Sequence, residues 1–322
     1  MKLIIQIPCY NEAETLPLTL ADLPRSVAGF DRVEWLVIDD GSTDETAQVA
    51  KESGADHIVR HTRNQGLARA FMTGMHEGIR LGADVIVNTD ADNQYCADDI
   101  PSLIRPILEG KADMVIGARP IDNIPHFSPA KKMLQKMGSW FVRKVSRTDV
   151  PDAASGFRAI CKNAARQLSV FNDYTYTLET IIQAGQKNMS VASVPVRVNA
   201  SLRPSRLVKN TPDYLIHSIL TIIRIFIVYY PFRFFALIGS ALFGAGVLLG
   251  IRFLYFFVTD QGGGHVQSLI LASVLLGMGF QTILIAFIAD LLASNRKLLE
   301  EIRFQLNRSD LNKDFIDKKE KT

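Results

Sequence analysis

Three cysteines in 322 residues, Cys9, Cys96 and Cys161, lie scattered and without metal-ligand spacing. They read as free thiols in a reducing compartment, so neither a disulfide framework nor a zinc site is indicated. No G-x-G-x-x-G follows the first apolar run and no G-x-x-x-x-G-K-[ST] occurs, which disfavours dinucleotide-binding and P-loop readings. Glycine (21) and proline (13) are present in ordinary proportion, too little for a collagen-like or linker-dominated chain. A net charge of only +3 beside 48% hydrophobic residues excludes a disordered protein. The first residues enter an apolar strand at once, without signal-peptide architecture.

Charge is what one region lacks most. From Tyr214 to Ala289, 76 residues carry only Arg224, Arg233, Arg252 and Asp260, about 5% against 21% for the chain. Within that region, Phe232–Val258 and Val266–Ala289 are each long enough to cross a bilayer core of roughly 30 Å, which takes about 20 residues. Buried core helices of such length usually keep a polar face, and these have none. Thr259–His265 (TDQGGGH) reads as the turn between two spans. That turn has no Lys or Arg, whereas Arg296–Thr322 has eight. The positive-inside rule therefore predicts a cytoplasmic membrane protein with both termini on the cytoplasmic side. Asp213–Tyr230 is apolar almost all round and reads as an interfacial helix, and Leu298–Leu306 repeats the device. Beyond it the tail reads as polar and frayed. Ser240–Gly244 and Gly246–Gly250 have a small-xxx-small spacing that permits self-association. The mean hydropathy of +0.11 thus averages two unlike parts.

The first two hundred residues alternate short β-rich runs with amphipathic stretches. The runs are Leu3–Ile7, Trp35–Ile38, Asp56–Arg60, Val85–Asn88 and Met114–Ile116. Helical patterns fall near Leu16–Leu23, Glu45–Glu52, Leu67–Ile79 and Ile100–Leu108. This predicts an α/β domain, a mostly parallel sheet with flanking helices, with ligands at the carboxyl ends of its strands. Acidic groups crowd that edge: Pro8-Cys9-Tyr10-Asn11-Glu12, Asp39-Asp40-Gly41-Ser42-Thr43-Asp44 and Asp90-Ala91-Asp92-Asn93-Gln94. Their repulsion calls for a counter-charge. Asp90 and Asp92 can direct hard oxygen ligands toward one Mg2+ or Mn2+, with nucleotide phosphates completing the shell. A lone D-x-D is often only a turn; three acidic edges together carry more weight. Ser42 or Thr43 would also cap the following helix, with Gly41 making the tight turn. Asn64-Gln65-Gly66-Leu67-Ala68-Arg69-Ala70 reads either as part of the site or as small residues packing a helix closely.

With Gly66-Leu67-Ala68 and Ser155-Gly156-Phe157-Arg158 added, these motifs resemble the inverting family 2 glycosyltransferases. More narrowly they resemble the polyprenyl-phosphate group that includes the dolichol-phosphate mannose synthases. The resemblance covers about residues 2–210 in motif order, and the two spans match membrane-anchored members. It implies a GT-A-type catalytic domain over residues 1–210, an interfacial helix at 211–231, two transmembrane helices within 232–290 and a juxtamembrane helix and tail at 291–322. Position by position, it implies that Pro8, Tyr10 and Glu12 line a nucleoside pocket, with Asp39 reading the base or ribose and Asp40 and Asp90 also binding the nucleotide. Asp90 and Asp92 would hold the metal on the donor diphosphate, with Gln94 completing the site. Arg119, in Gly117-Ala118-Arg119, would face the acceptor phosphate, and Asp152 would supply the acid ahead of Ser155. Arg203, Arg206 and Lys209 fall where the family has a basic segment closing on the phosphates. Here the match loosens, because the family's Gly-rich stretch ending in Ser-Lys is replaced by Arg203-Pro204-Ser205-Arg206.

The implied reaction moves one sugar from a UDP- or GDP-linked donor to polyprenyl phosphate such as undecaprenyl phosphate, with inversion. The partners would be the nucleotide-sugar, that lipid and the membrane, with no nucleic acid. A leaving diphosphate gathers negative charge that a metal and cations stabilise in the transition state. A sugar hydroxyl acceptor would need a general base. A lipid phosphate is already anionic, so Asp152 is expected to orient rather than to abstract a proton. Cations stand where such an acceptor needs them. Arg119 to Arg147 has seven Lys or Arg, Lys131 and Lys132 among them, against Asp122 alone. A solvated surface or attraction to anionic lipid headgroups is the plainer use of these charges, and it can coexist with acceptor-phosphate contact. A processive polysaccharide synthase of the same superfamily is the first rival. It would carry a Gln-x-x-Arg-Trp element, and neither tryptophan here, Trp35 or Trp140, follows an arginine. A non-catalytic membrane scaffold retaining the fold is the second.

Overall fold

Lys2–Cys9 (KLIIQIPC) is apolar on both sides of its pleat, as a central parallel strand must be when helices cover both faces of its sheet. It forms β1, with every residue but Lys2 buried. The computed structural model describes residues 1–121, 129–170, 176–199, 223–224, 227–259 and 266–320. The chain divides into two units, Met1–Ile219 and Leu220–Thr322.

In the first unit, β1 is joined by β2 (Arg32–Asp39), β3 (His57–Arg60), β4 (Val85–Asn88), β5 (Met114–Ala118), β6 (Arg158–Cys161) and β7 (Val191–Pro195). They form one seven-stranded sheet in the order β3-β2-β1-β4-β6-β5-β7. Pairing is parallel except where β6 runs against β4 and β5. Leu3, Ile5 and Ile7 pack on one face with Leu16 and Leu20 of α1 (Leu16–Asp22) and Leu103 and Ile104 of α4 (Ile100–Leu108). Ile4 and Gln6 face α3 (Leu67–Arg80) on the other, where Gln6 Nε2 reaches the Phe71 carbonyl. Among the described residues, the remaining α-helices of this unit are α2 (Thr46–Glu52), α5 (Pro129–Ser146), α6 (Lys162–Gln167) and α7 (Thr177–Gln186). Register puts Cys9 beside Asp39 and Asp39 beside Arg60, so β1, β2 and β3 end on one edge. Because β6 is antiparallel between β4 and β5, it begins on the edge where those two end. The α/β sheet is as the alternation predicted.

Among the described residues, the second unit holds two long helices, α8 (Pro231–Val258) and α9 (Val266–Glu320). Pro231–Val258 and Val266–Arg296 are long and apolar enough to cross a membrane, and only 11% and 17% of their most apolar windows are buried. A soluble core helix would be mostly buried, so this exposure favours a lipid-facing pair. They pack closely at glycine: a Cβ on Gly279 would lie 2.5 Å from the Phe243 backbone nitrogen, and one on Gly246 2.9 Å from the Leu276 nitrogen. Gly244 and Gly250 meet nothing within 4 Å. The small residues therefore serve partly to close this hairpin. The polar tail differs from expectation: α9 continues without a break to Glu320. The strongly helix-forming Lys, Leu, Glu and Arg past residue 296 continue the ladder that the span has already nucleated. The connecting residues 260–265 and most of the expected interfacial helix at 211–231 lie outside the described residues.

Candidate active site

The first two acidic motifs are knitted together by short hydrogen bonds. Asn11, held at a φ of +54°, accepts from the Thr43 amide at 2.8 Å and donates its own amide to Ser42 Oγ at 3.0 Å. The Glu12 amide donates to Thr46 Oγ1 at 2.9 Å, and Glu12 Oε2 accepts from Thr15 at 2.7 Å. Asp39 is fully buried; its Oδ1 accepts from the Ser42 amide, and its Oδ2 lies 3.1 Å from Arg60 Nε. Asp44, rather than Ser42 or Thr43, serves the start of α2, accepting from the Thr46 amide at 3.1 Å. Ser42 lies three residues ahead of the N-cap position, Glu45, and its hydroxyl accepts from the Asn11 amide instead. Burial works against Asp44, yet hydrogen bonds from Thr46 and the Ala13 amide hold its carboxyl below the usual range.

Asp40 binds the Asn64-Gln65-Gly66 loop to this edge. Its carboxylate accepts from the amides of Gln65 (2.9 Å) and Gly66 (2.8 Å), and His61 Nδ1 lies 2.7 Å away. His61 Nε2 in turn lies 3.0 Å from Thr73 Oγ1 on α3. Gly41 is required here: its φ is +70°, and a Cβ would sit 2.4 Å from the Arg63 carbonyl carbon. The loop thus belongs to the acidic edge as well as opening a closely packed helix.

Asp90 follows β4 and is half-buried. Burial first, then the Asp92 charge, push its carboxyl up to about 7. A Cβ on Gly156 would stand 2.8 and 3.0 Å from the two Asp90 carboxylate oxygens, so the Ser155-Gly156 turn closes directly on that side chain. Gly156 is pinned from both sides. Its amide donates to Tyr95 Oη at 3.0 Å and its carbonyl accepts from Asn88 Nδ2 at 2.8 Å. Asn88 also donates to Tyr176 Oη and accepts from Gln6. The Gln94 amide donates to Asp92 Oδ1, and the Gln94 carbonyl accepts from the Asn199 amide. Gln94 therefore braces the loop through its backbone.

Arg119 and Asp152 come together. Arg119 Nε donates to Asp152 Oδ2 at 2.7 Å, Nη2 to Oδ1 at 3.1 Å, and the Arg119 amide to Oδ2 at 3.3 Å. Both side chains are buried. Bidentate pairing of this kind fixes geometry as well as charge. Behind it lies Arg158, fully buried and bonded to Thr180 Oγ1 and the carbonyls of Thr177 and Ser155 rather than to a carboxylate. Burial lowers its pKa, against the fields of Tyr176, Tyr95, Asp90 and Asp152.

Pro8 lies within β1, and Tyr10, just past its end, is 42% exposed. Lys132 is half-buried in the first turn of α5, and Lys131 belongs to that turn. Arg203, Arg206 and Lys209 lie outside the described residues. Tyr95, Tyr176, Asn88 and Gln6 join the arrangement without having been singled out in the sequence, whereas buried Arg158 stood there only as the last residue of the Ser155-Gly156-Phe157-Arg158 motif. Among the described residues, no three His, Cys, Asp or Glu side chains converge as a metal cage.

The family model described as glycosyl transferase family 2 matches residues 4–173. An undecaprenyl-phosphate mannosyltransferase of Micrococcus luteus is 29% identical over 206 residues, covering 61% of this chain and 83% of that protein. A UDP-N-acetylglucosamine–dolichyl-phosphate N-acetylglucosaminyltransferase of Methanococcus voltae is 29% identical over 213 residues, covering 59% and 83%. Among solved structures, glucosyl-3-phosphoglycerate synthase of Mycobacterium tuberculosis, crystallised with Mn2+, UDP and phosphoglyceric acid, aligns with a TM-score of 0.53. It does so at 18% identity, covering 69% of this chain and 78% of that one.

Proposed function

This chain belongs to glycosyl transferase family 2 and is a glycosyltransferase, and on that premise we propose that it transfers one sugar from a nucleotide-sugar to a polyprenyl phosphate. The observation that carries the proposal is the meeting of two unlike groups on one sheet edge, the Asp90/Asp92 pair and the buried Arg119–Asp152 pair, in a chain with two apolar helices. Relatives acting on undecaprenyl and dolichyl phosphate support the acceptor class. Their names give different sugars, mannose and N-acetylglucosamine, and the donor proposed here is a UDP- or GDP-linked sugar.

The residues fit a divalent cation. A carboxyl pushed up to about 7 by burial and a neighbouring acid is one whose ionisation a bound cation would favour. Asp90 and Asp92 would hold Mg2+ or Mn2+, leaving other positions to phosphate oxygens. Such an ion, when bound, neutralises charge on the departing diphosphate. Asp39, buried at the end of β2, offers its carboxylate to the base or ribose beside Arg60. Asp40 acts through the 61–66 loop it holds.

Arg119 is the fixed cation for the acceptor phosphate, and Asp152 sets its direction. Both Asp152 oxygens are taken by N–H donors, a poor arrangement for lifting a proton and a good one for aiming a guanidinium. A phosphate acceptor needs no such proton removed, so positioning among cations suffices, and attack from the face opposite the diphosphate gives inversion. Arg203, Arg206, Lys131 and Lys132 would complete the cationic surround. Both termini and the catalytic domain would lie on the cytoplasmic side, where a lipid phosphate meets a soluble donor.

A screen of sugar nucleotides for transfer onto undecaprenyl phosphate tests the reading. One donor should be used in the presence of Mg2+ or Mn2+, and Asp92→Ala should abolish transfer. Nucleotide binding without turnover for every donor would leave a scaffold instead.

A further inference from the structure

Helix α5 turns an apolar stripe outward. Met133, Met137 and Trp140, spaced by four and three residues, share one face and are 64%, 43% and 53% exposed. Gln135, Ser139, Val142 and Val145 occupy the opposite, buried face. A surface helix of a soluble domain is arranged the other way, with its polar residues outward. Cations flank the stripe: Lys136 on one side, and Lys144, whose Nζ lies 5.3 Å from the Trp140 ring centre, along its line. Five Lys or Arg and no acid occur from Pro129 to Ser146.

We propose that the Met133–Met137–Trp140 face of α5 beds into the headgroup region of the bilayer, a membrane contact separate from the two spans. Exposed apolar side chains with tryptophan among lysines suit that region, where an indole sits at the headgroup level and lysine stems run along apolar surface with their charges in water. The positive charge complements anionic lipid. The same chain carries helices fit to cross a bilayer, so such a surface is never far away. This contact would also place the start of α5, with Lys131 and Lys132, at the depth of a lipid phosphate. That consequence rests on the proposed reaction; the contact itself does not.

The chain has two tryptophans, and Trp35 is buried, so the full-length protein can report on Trp140 directly. Full-length Trp35→Phe would be reconstituted in nanodiscs made with lipids brominated either high on the acyl chain or near the terminal methyl. An apolar face buried roughly 5–10 Å at the interface predicts strong quenching by the high bromines, weaker quenching by the deep ones, and protection from aqueous acrylamide. Should Trp35→Phe fail to fold, the difference between the unsubstituted protein and Trp140→Phe gives the same signal. Acrylamide quenching without bromolipid quenching would show a solvated helix and overturn the proposal. Protection from both quenchers would show a protein cover, a second copy or another part of this chain, and would overturn it equally. No substrate is present, so this result and that of the transfer assay are independent.

Discussion

One methyl group at position 156 should disable the metal site while leaving the fold standing. In Gly156→Ala the new Cβ arrives 2.8 and 3.0 Å from the Asp90 carboxylate oxygens and 3.0 Å from Tyr176 Oη, some half an ångström inside ordinary van der Waals contact. The backbone cannot retreat, because the Gly156 amide and carbonyl are held by Tyr95 and Asn88. The carboxylate must therefore move. Metal–ligand distances tolerate shifts of only about 0.2 Å, and disturbing a ligand's surroundings typically costs about 10–100-fold in metal affinity or activity. Overpacking itself should cost about 1–3 kcal/mol. Gly138→Ala supplies the control: it makes the same chemical change inside α5, where a Cβ meets nothing within 4 Å, and should stabilise by about 0.5–1 kcal/mol. The assay is the Mn2+ concentration for half-maximal transfer, with thermal unfolding alongside. Gly156→Ala with the unsubstituted protein's metal requirement and rate would show that the Asp90 carboxylate does not hold the metal in this way.

Three further outcomes are expected. Asp90 is charged at a cost: with its pKa raised to about 7, the folded state holds a proton that the unfolded state has lost between about pH 4 and 7, so stability falls as pH rises through that window. Asp90→Asn should then raise the metal-free melting temperature at pH 8, within a ceiling of about 4 kcal/mol, with little effect near pH 4 and no further gain from added Mn2+. Removing one partner of the buried Arg119–Asp152 pair should cost about 3–5 kcal/mol, while replacing both by apolar residues recovers stability but not transfer, as denaturant titrations and the transfer assay would show. In the hairpin, Gly279→Val should separate α8 from α9 and weaken the protein in detergent, whereas Gly250→Ala should be nearly silent in the same thermal assay.

Legibility in the sequence followed locality. β1 to β5 announced themselves as β-branched runs between turns. β6 reads only Arg-Ala-Ile-Cys, and its leading arginine is buried, which no propensity anticipates. β7 ends in proline and is half-buried, so its alternation is weak. Asp90 and Asp92 were legible because two carboxylates two residues apart past a strand are a local signal. Their surroundings were not: Asn88, Tyr95 and Tyr176 reach Gly156 or one another across 61 to 88 residues. Arg119 and Asp152 were each singled out, yet their pairing across 33 residues needed β6 to bring the two loops to one edge. Asp40 showed the reverse case. Its position was evident, but its task of binding the 61–66 loop emerged only from the fold.

The most direct measurement is the mass of the lipid product formed by the reconstituted full-length chain from its preferred nucleotide-sugar and undecaprenyl phosphate. The product should be a lipid phosphate bearing one sugar, with nucleoside diphosphate released in equal amount. A lengthening series of sugars, or nucleotide-sugar turnover that leaves the lipid unchanged, would contradict it.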